Sequence, residues 1–104
     1  MIRIRGIITL YEVSEDLNDG KAFYDRRTPG LGDYFWDSLM ADIESLYLFA
    51  GIHIKKSGYH RMISKRFPYS IYYEVKGDIA RVVAVLPMRR DPAWIVKNLK
   101  RRSL

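Results

Sequence analysis

Two groups of basic residues carry the chemistry open to this chain: Lys55, Lys56, Arg61, Lys65 and Arg66 in one stretch, and Arg81, Arg89 and Arg90 in the next. His60, Tyr69 and Tyr72 stand among them, and Trp94 follows before a basic end at Lys97, Lys100, Arg101 and Arg102. Cationic side chains bind phosphate oxygens and aromatic rings stack on unpaired bases, so such a set on one surface would hold a nucleic-acid strand. Cutting RNA asks for more: a base for the 2′-hydroxyl, an acid for the leaving oxygen, and fixed guanidinium groups for the crowded phosphate. Arg61, Arg66 and Arg89 could supply the charge, and His60 is the histidine placed among them to move a proton. The plainer reading of each Lys or Arg is a solvated side chain, and of His60 a satisfied structural histidine.

Other chemistries fail sooner. The chain has no cysteine and two histidines, which excludes disulfides and thiolate catalysis and leaves no basis for a zinc site. Its serines lie in no nucleophile-elbow setting, and no glycine-rich phosphate loop is present. Asp37, Asp42 and Glu44 read as the solvated side of a helix rather than as metal ligands. No metal or cofactor is expected. With 104 residues the chain predicts one domain, 1–104, around one core. Hydrophobic residues at 48% and charged ones at 29% are a globular mixture. A formal charge of +6 favours anionic partners. The apolar run Ile7 to Leu10 is far shorter than the roughly 20 residues of a bilayer span, so a cytoplasmic protein with no membrane partner is expected.

Elements must bring these residues together. Met1-Ile2-Arg3-Ile4-Arg5 alternates and, with Ile7 to Leu10, predicts a first strand with its arginines outward. Ser14 predicts a helix N-cap, with Glu15 and Asp16 complementing the positive helix end, and the helix runs to Arg26. Val13, Leu17, Gly20 and Tyr24 share one stripe. Gly20 costs such a helix about 1 kcal/mol relative to alanine, which predicts a second helix passing close to it. Thr28-Pro29-Gly30 breaks the first helix. Leu31, Phe35, Leu39, Ile43, Leu46 and Ala50 predict a second one up to Gly51, with Asp33, Asp37, Asp42 and Glu44 off the stripe and Trp36 packed beside it.

Ile52 to Lys56 reads as an ordered loop and Tyr59 to Arg66 as a strand. Tyr69 to Val75 and Ile79 to Leu86 then form a hairpin across Lys76-Gly77-Asp78. Alternation sends Ile71, Tyr73 and Val75 to one face and Ser70, Tyr72 and Glu74 to the other. Ile79 to Leu86, apolar almost throughout, reads as an interior strand covered on both faces with helices on one side. The basic groups would then converge on the face away from the helices. Asp91-Pro92 opens either a short helix or a mobile arm, and Trp94 either anchors it or marks a partner contact.

Arg66-Phe67-Pro68-Tyr69-Ser70-Ile71-Tyr72-Tyr73, followed by Ala84-Val85-Leu86 and Arg89-Arg90-Asp91-Pro92, resembles the C-terminal half of toxins of the RelE/ParE superfamily. Phe23-Tyr24-Asp25-Arg26-Arg27-Thr28-Pro29-Gly30-Leu31-Gly32 resembles the link between that family's two helices. The resemblance runs from about Ser14 to Trp94 and is closer to ParE, the plasmid-stabilisation type, than to RelE. It implies an α+β fold: a twisted antiparallel sheet with an N-terminal strand, a two-helix hairpin on one face, three C-terminal strands and a short basic tail or helix. It also implies the toxin of a type II toxin–antitoxin system, held in a hetero-oligomer by a cognate antitoxin that wraps and neutralises it.

The likeness to ParE implies binding to DNA gyrase, with no bond cut by the toxin itself. The likeness to RelE implies ribosome-dependent cleavage of messenger RNA, with Arg61, Arg66, Arg89 and His60 at the phosphate. Lys55, Lys56, Lys65, Tyr69, Tyr72, Arg81, Arg90 and Trp94 would contact the target in either case. Pro87 stands where related sequences often carry histidine, and no His-Tyr or Arg-Tyr pair ends the chain, which favours ParE. The third reading is a non-toxic or inactive nucleic-acid-binding homologue.

Overall fold

The computed structural model describes residues 3–103. Strand β5 (Ile79–Pro87) lies inside a sheet ordered β1-β5-β4-β3-β2, between β4 (Tyr69–Lys76) and β1 (Gly6–Thr9). Strands β3 (Tyr59–Ile63) and β2 (Lys55–Lys56) complete it. The pairs β2–β3, β3–β4 and β4–β5 are antiparallel, as expected, whereas β1 runs parallel to β5, with Gly6 opposite Ile79 and Thr9 opposite Val82. A parallel pair needs a long crossover, and here everything between Thr9 and Ile79 supplies it. The sheet is therefore mixed. Of the expected first strand, Met1 and Ile2 lie outside the described residues; the strand itself is Gly6–Thr9, preceded by a buried Ile4 between exposed Arg3 and Arg5. The two-residue strand β2 occupies part of what reads as a loop in the sequence.

The unbroken apolar run of β5 has a structural cause. Tyr72 pairs with Ala84 but Tyr73 pairs with Val82, so Val83 is an extra residue in the β5 strand. The bulge turns Val83 and Ala84 towards the same side, where they meet Leu86, Tyr72 and Tyr59, while Ala80, Val82 and Val85 join the opposite core with Ile71 and Tyr73.

That second core is roofed by a helical hairpin of α1 (Tyr11–Arg27) and α2 (Leu31–Glu44). Val13, Leu17 and Gly20 of α1 meet Phe35, Leu39 and Ile43 of α2. A Cβ on Gly20 would lie 2.4 Å from the Phe35 ring, which accounts for glycine at this position. The α1–α2 junction is fastened by the Asp25 carboxylate, which accepts the Gly32 N–H at 2.8 Å. Helix α1 starts three residues before the predicted cap. Ser14 is inside it, its hydroxyl donating back to the Tyr11 carbonyl at 2.7 Å. The second helix is also interrupted: Ser45 donates to the Asp42 carbonyl at 2.6 Å, and a separate turn α3 (Leu46–Phe49) follows. Asp42, expected on the solvated side, is buried and accepts the Ser64 hydroxyl at 2.6 Å, tying α2 to the end of β3.

The C-terminal segment is the helix α4 (Pro92–Arg102), opened by Asp91, which accepts the Ala93 N–H at 2.9 Å. Leu99 is buried, and Trp94 and Ile95 pack on Tyr59, Tyr72, Val83 and Leu86. Arg102 reaches Asp16 of α1 with both terminal nitrogens, at 2.6 and 2.8 Å, and the Val83 carbonyl at 3.1 Å. The face opposite the hairpin is therefore covered in part by α4 rather than open.

Candidate functional site

Where β5 ends, the turn to α4 is held against the β3–β4 turn by the Met88 N–H, which donates to the Pro68 carbonyl at 2.9 Å. This places Arg89 and Arg90 on either side of the α4 start. Arg89 lies over the Phe23 ring of α1 at 4.4 Å, and Arg90 over the Trp94 ring at 3.8 Å. A guanidinium held by its face keeps its in-plane N–H groups free for a carboxylate or phosphate. Arg90 lines two cavities at once. One, of about 300 Å³, lies between α1 and the start of α4 and is walled by Asp19, Phe23, Arg26, Tyr69, Arg89 and Trp94. The other, of about 130 Å³, lies between α4 and strands β3 and β4, with Lys56, Arg61, Ser70 and Tyr72 in its wall.

The predicted residues divide accordingly. Lys56, Arg61, Tyr72 and Arg90 meet at the smaller cleft, and Tyr69, Arg89, Arg90 and Trp94 at the larger. Arg81 stands apart, paired with Glu74. Lys55 and Lys65 are exposed and line neither cavity, and Arg66 is directed to α2, 6.0 Å above the Tyr34 ring.

Three expectations are corrected. Tyr69 and Tyr72 are each only 3% exposed and offer no open face for a base, because Tyr69 packs under the hairpin and Tyr72 under α4. His60 does not face the same side as Arg61: strand alternation turns it to the hairpin side, stacked on Tyr73, with its Nδ1 against the His53 carbonyl at 2.6 Å. Arg61 is itself occupied, its Nε donating to the Ser70 hydroxyl at 2.9 Å. The set Arg61, Arg66, Arg89 and His60 is therefore spread over both faces and is not assembled around one phosphate.

Sequence reasoning missed the α1 wall. Asp16, Asp19, Phe23 and Arg26 recur at spacings of three, four and three, a second stripe beside the apolar one that could have been read as a face turned to the site. Burial raises the Asp16 carboxyl above its ordinary value, against the pull of Arg102 and the Val85 N–H. Burial likewise raises the Tyr69 hydroxyl, opposed by the neighbouring Arg89 guanidinium. The arrangement presents oriented cations next to a polar cavity and suits gripping an anionic surface. Among the described residues, no group of three or more His, Cys, Asp or Glu is placed to hold a metal ion, and no helix is long and apolar enough to cross a membrane.

No protein-family model matches the sequence, and no curated protein matches it. Among solved structures, a chain of the chromosomal ParDE toxin–antitoxin system from P. aeruginosa is similar at a TM-score of 0.72. The likeness covers 86% of this chain and 98% of that one, at 15% sequence identity. At that identity what is shared is the fold, and this chain has the α+β fold of that ParDE chain.

Proposed function

We propose that this chain is the toxin of a type II toxin–antitoxin system and acts in the manner of ParE, by binding DNA gyrase rather than by cutting a substrate. The observation that carries the choice is α4 seated on the sheet. It buries Tyr72, and with His60 on the far face no proton-transfer pair stands beside Arg61 among the described residues. What remains is a rim of stacked arginines, Arg89 and Arg90, beside Trp94, which is equipment for adhesion to an anionic partner. The similarity of fold to a ParDE chain supports the same reading. A cognate antitoxin offering an acidic, amphipathic segment would suit the +6 charge, folding as it binds. A cytoplasmic location goes with such a target.

A second reading, ribosome-dependent cleavage of messenger RNA, draws on the meeting of Lys56, Arg61, Tyr72 and Arg90 at one cleft. Two assays on the purified chain separate them: gyrase supercoiling with trapping of cleaved DNA, and cleavage of a message on translating ribosomes. Inhibition in the first with an intact message in the second is expected. The reverse result replaces the gyrase reading, and silence in both, with no growth defect on expression, removes the toxin assignment.

A further inference from the structure

Both histidines of the chain close on one tyrosine. Tyr73 is fully buried on β4, and its hydroxyl accepts the Gly51 N–H at 2.9 Å while lying against His53 Nδ1. A hydroxyl has one proton. The oxygen could accept twice, but its proton would then have no partner in the core, so with Gly51 donating to it that proton goes to His53 Nδ1, and His53 is neutral there and carries its own proton on Nε2. His60 of β3 stacks on the Tyr73 ring with centroids 5.0 Å apart, and its Nδ1–H donates to the His53 carbonyl at 2.6 Å. The Arg61 N–H adds a bond to the Ile54 carbonyl at 2.9 Å. The connection from α3 to β2 is thus held on the sheet through a tyrosine hydroxyl and two imidazoles. Its apolar side chains Ile52 and Ile54 stay 64% and 74% exposed, so they do little to hold it there.

We propose that this cluster is an acid-operated latch, in which protonation of His53 at Nδ1 releases the Gly51–Lys56 connection from β3 and β4 and unfastens the β2 edge of the sheet. Protonation puts an N–H donor opposite the Tyr73 O–H. If the hydroxyl turns to accept it, its own proton is left without a partner inside the core. Tyr73 of β4 and His60 of β3 are the titratable groups that face His53, and Lys55, opposite His60 in the β2–β3 pair, is a fixed positive charge on the segment itself. Burial, and then the charge of His60, hold His53 below the ordinary histidine value of 6.5. Burial raises the Tyr73 hydroxyl, which stays protonated throughout the range concerned. A depressed histidine favours the closed state only while neutral. The latch is therefore fully closed above the ordinary value and weakens as pH falls from there through the lower closed-state value. What acid frees is the edge of β3 that β2 covers through the Lys55–His60 and Lys56–Tyr59 pairs, so the surface offered to a partner changes with pH.

The latch does not depend on the toxin reading, and its test needs no toxin activity. Amide exchange at Gly51 and Arg61 would be followed by NMR on the whole chain from about pH 7.5 to about pH 5, together with the imidazole signals of both histidines. After correction for intrinsic exchange, the opening constant should rise on acidification by about tenfold for each pH unit separating the closed and open midpoints of His53. Tyr73→Phe, which keeps the ring, and His53→Gln should each flatten that profile, and His60→Gln should move the His53 midpoint up. The latch is overturned by a His53 midpoint at or above the ordinary value, by a Gly51 opening constant that does not change with pH, or by a Tyr73→Phe chain that keeps the wild-type profile.

Discussion

On α1, Gly20 and Asp16 face two different demands. At Gly20 an added methyl would collide with the Phe35 ring. Gly20→Ala gains about 1 kcal/mol of helix propensity but incurs about 1–3 kcal/mol of overpacking, so a net loss of stability is expected. It would show as a lower urea midpoint at unchanged slope. Asp16 and Arg102 form a buried pair, with side chains 8% and 10% exposed. Arg102→Ala strands the Asp16 carboxylate and should cost about 3–5 kcal/mol, whereas Asp16→Leu combined with Arg102→Met should recover most of it, as apolar replacements of buried pairs do. Urea titration of the single and double variants distinguishes a structural clamp from a surface pair. Gly20 was legible because its helical spacing is local. Asp16 was not, because its partner lies 86 residues away and no pattern in the chain links them.

Helix α4 is the element on which the reading of the site turns. Its start could be read from Asp91 and Pro92, a cap followed by a residue pre-set for the first helical position. Where it docks could not, since an apolar stripe states that a helix needs a partner without stating which. Asp91→Ala should cost about 1 kcal/mol through loss of the cap, and Leu99→Ala about 2–5 kcal/mol through the cavity it leaves. Removal of residues 92–104 should uncover Tyr59, Tyr72, Val83 and Leu86 and produce a chain that binds a hydrophobic dye. If the truncated chain stays dye-silent and as stable as the whole, α4 is not the cover described here. The first helix shows the opposite failure of local reading. Ser14 had the right type for a cap, but the chain leaves β1 at Thr9 and turns at once, so the helix is already formed when Ser14 is reached.

At the scale of the molecule, an excess of six positive charges makes encounter with an anionic partner faster at low salt. On the gyrase reading, Arg89→Gln with Arg90→Gln should slow association with gyrase and reduce its salt dependence, while lowering stability by only about 1–2 kcal/mol through the two lost ring contacts, because both groups are exposed and in no ion pair among the described residues. Stopped-flow association across a salt series checks this. Equal rates for variant and wild type at every salt concentration would remove the arginine rim from target binding.

The amino-acid order by itself determined the α+β class, the helical hairpin, the β4–β5 hairpin and the doubly covered β5, since each rests on near-neighbour spacing of apolar and turn residues. Only the tertiary structure decided that β1 runs parallel to β5, that Asp16 and Asp42 are buried, that His60 turns from Arg61, and that α4 covers Tyr72. Those outcomes depend on contacts between distant segments. Periodicity assigns a side chain to a face of its own element; only packing decides what that face meets.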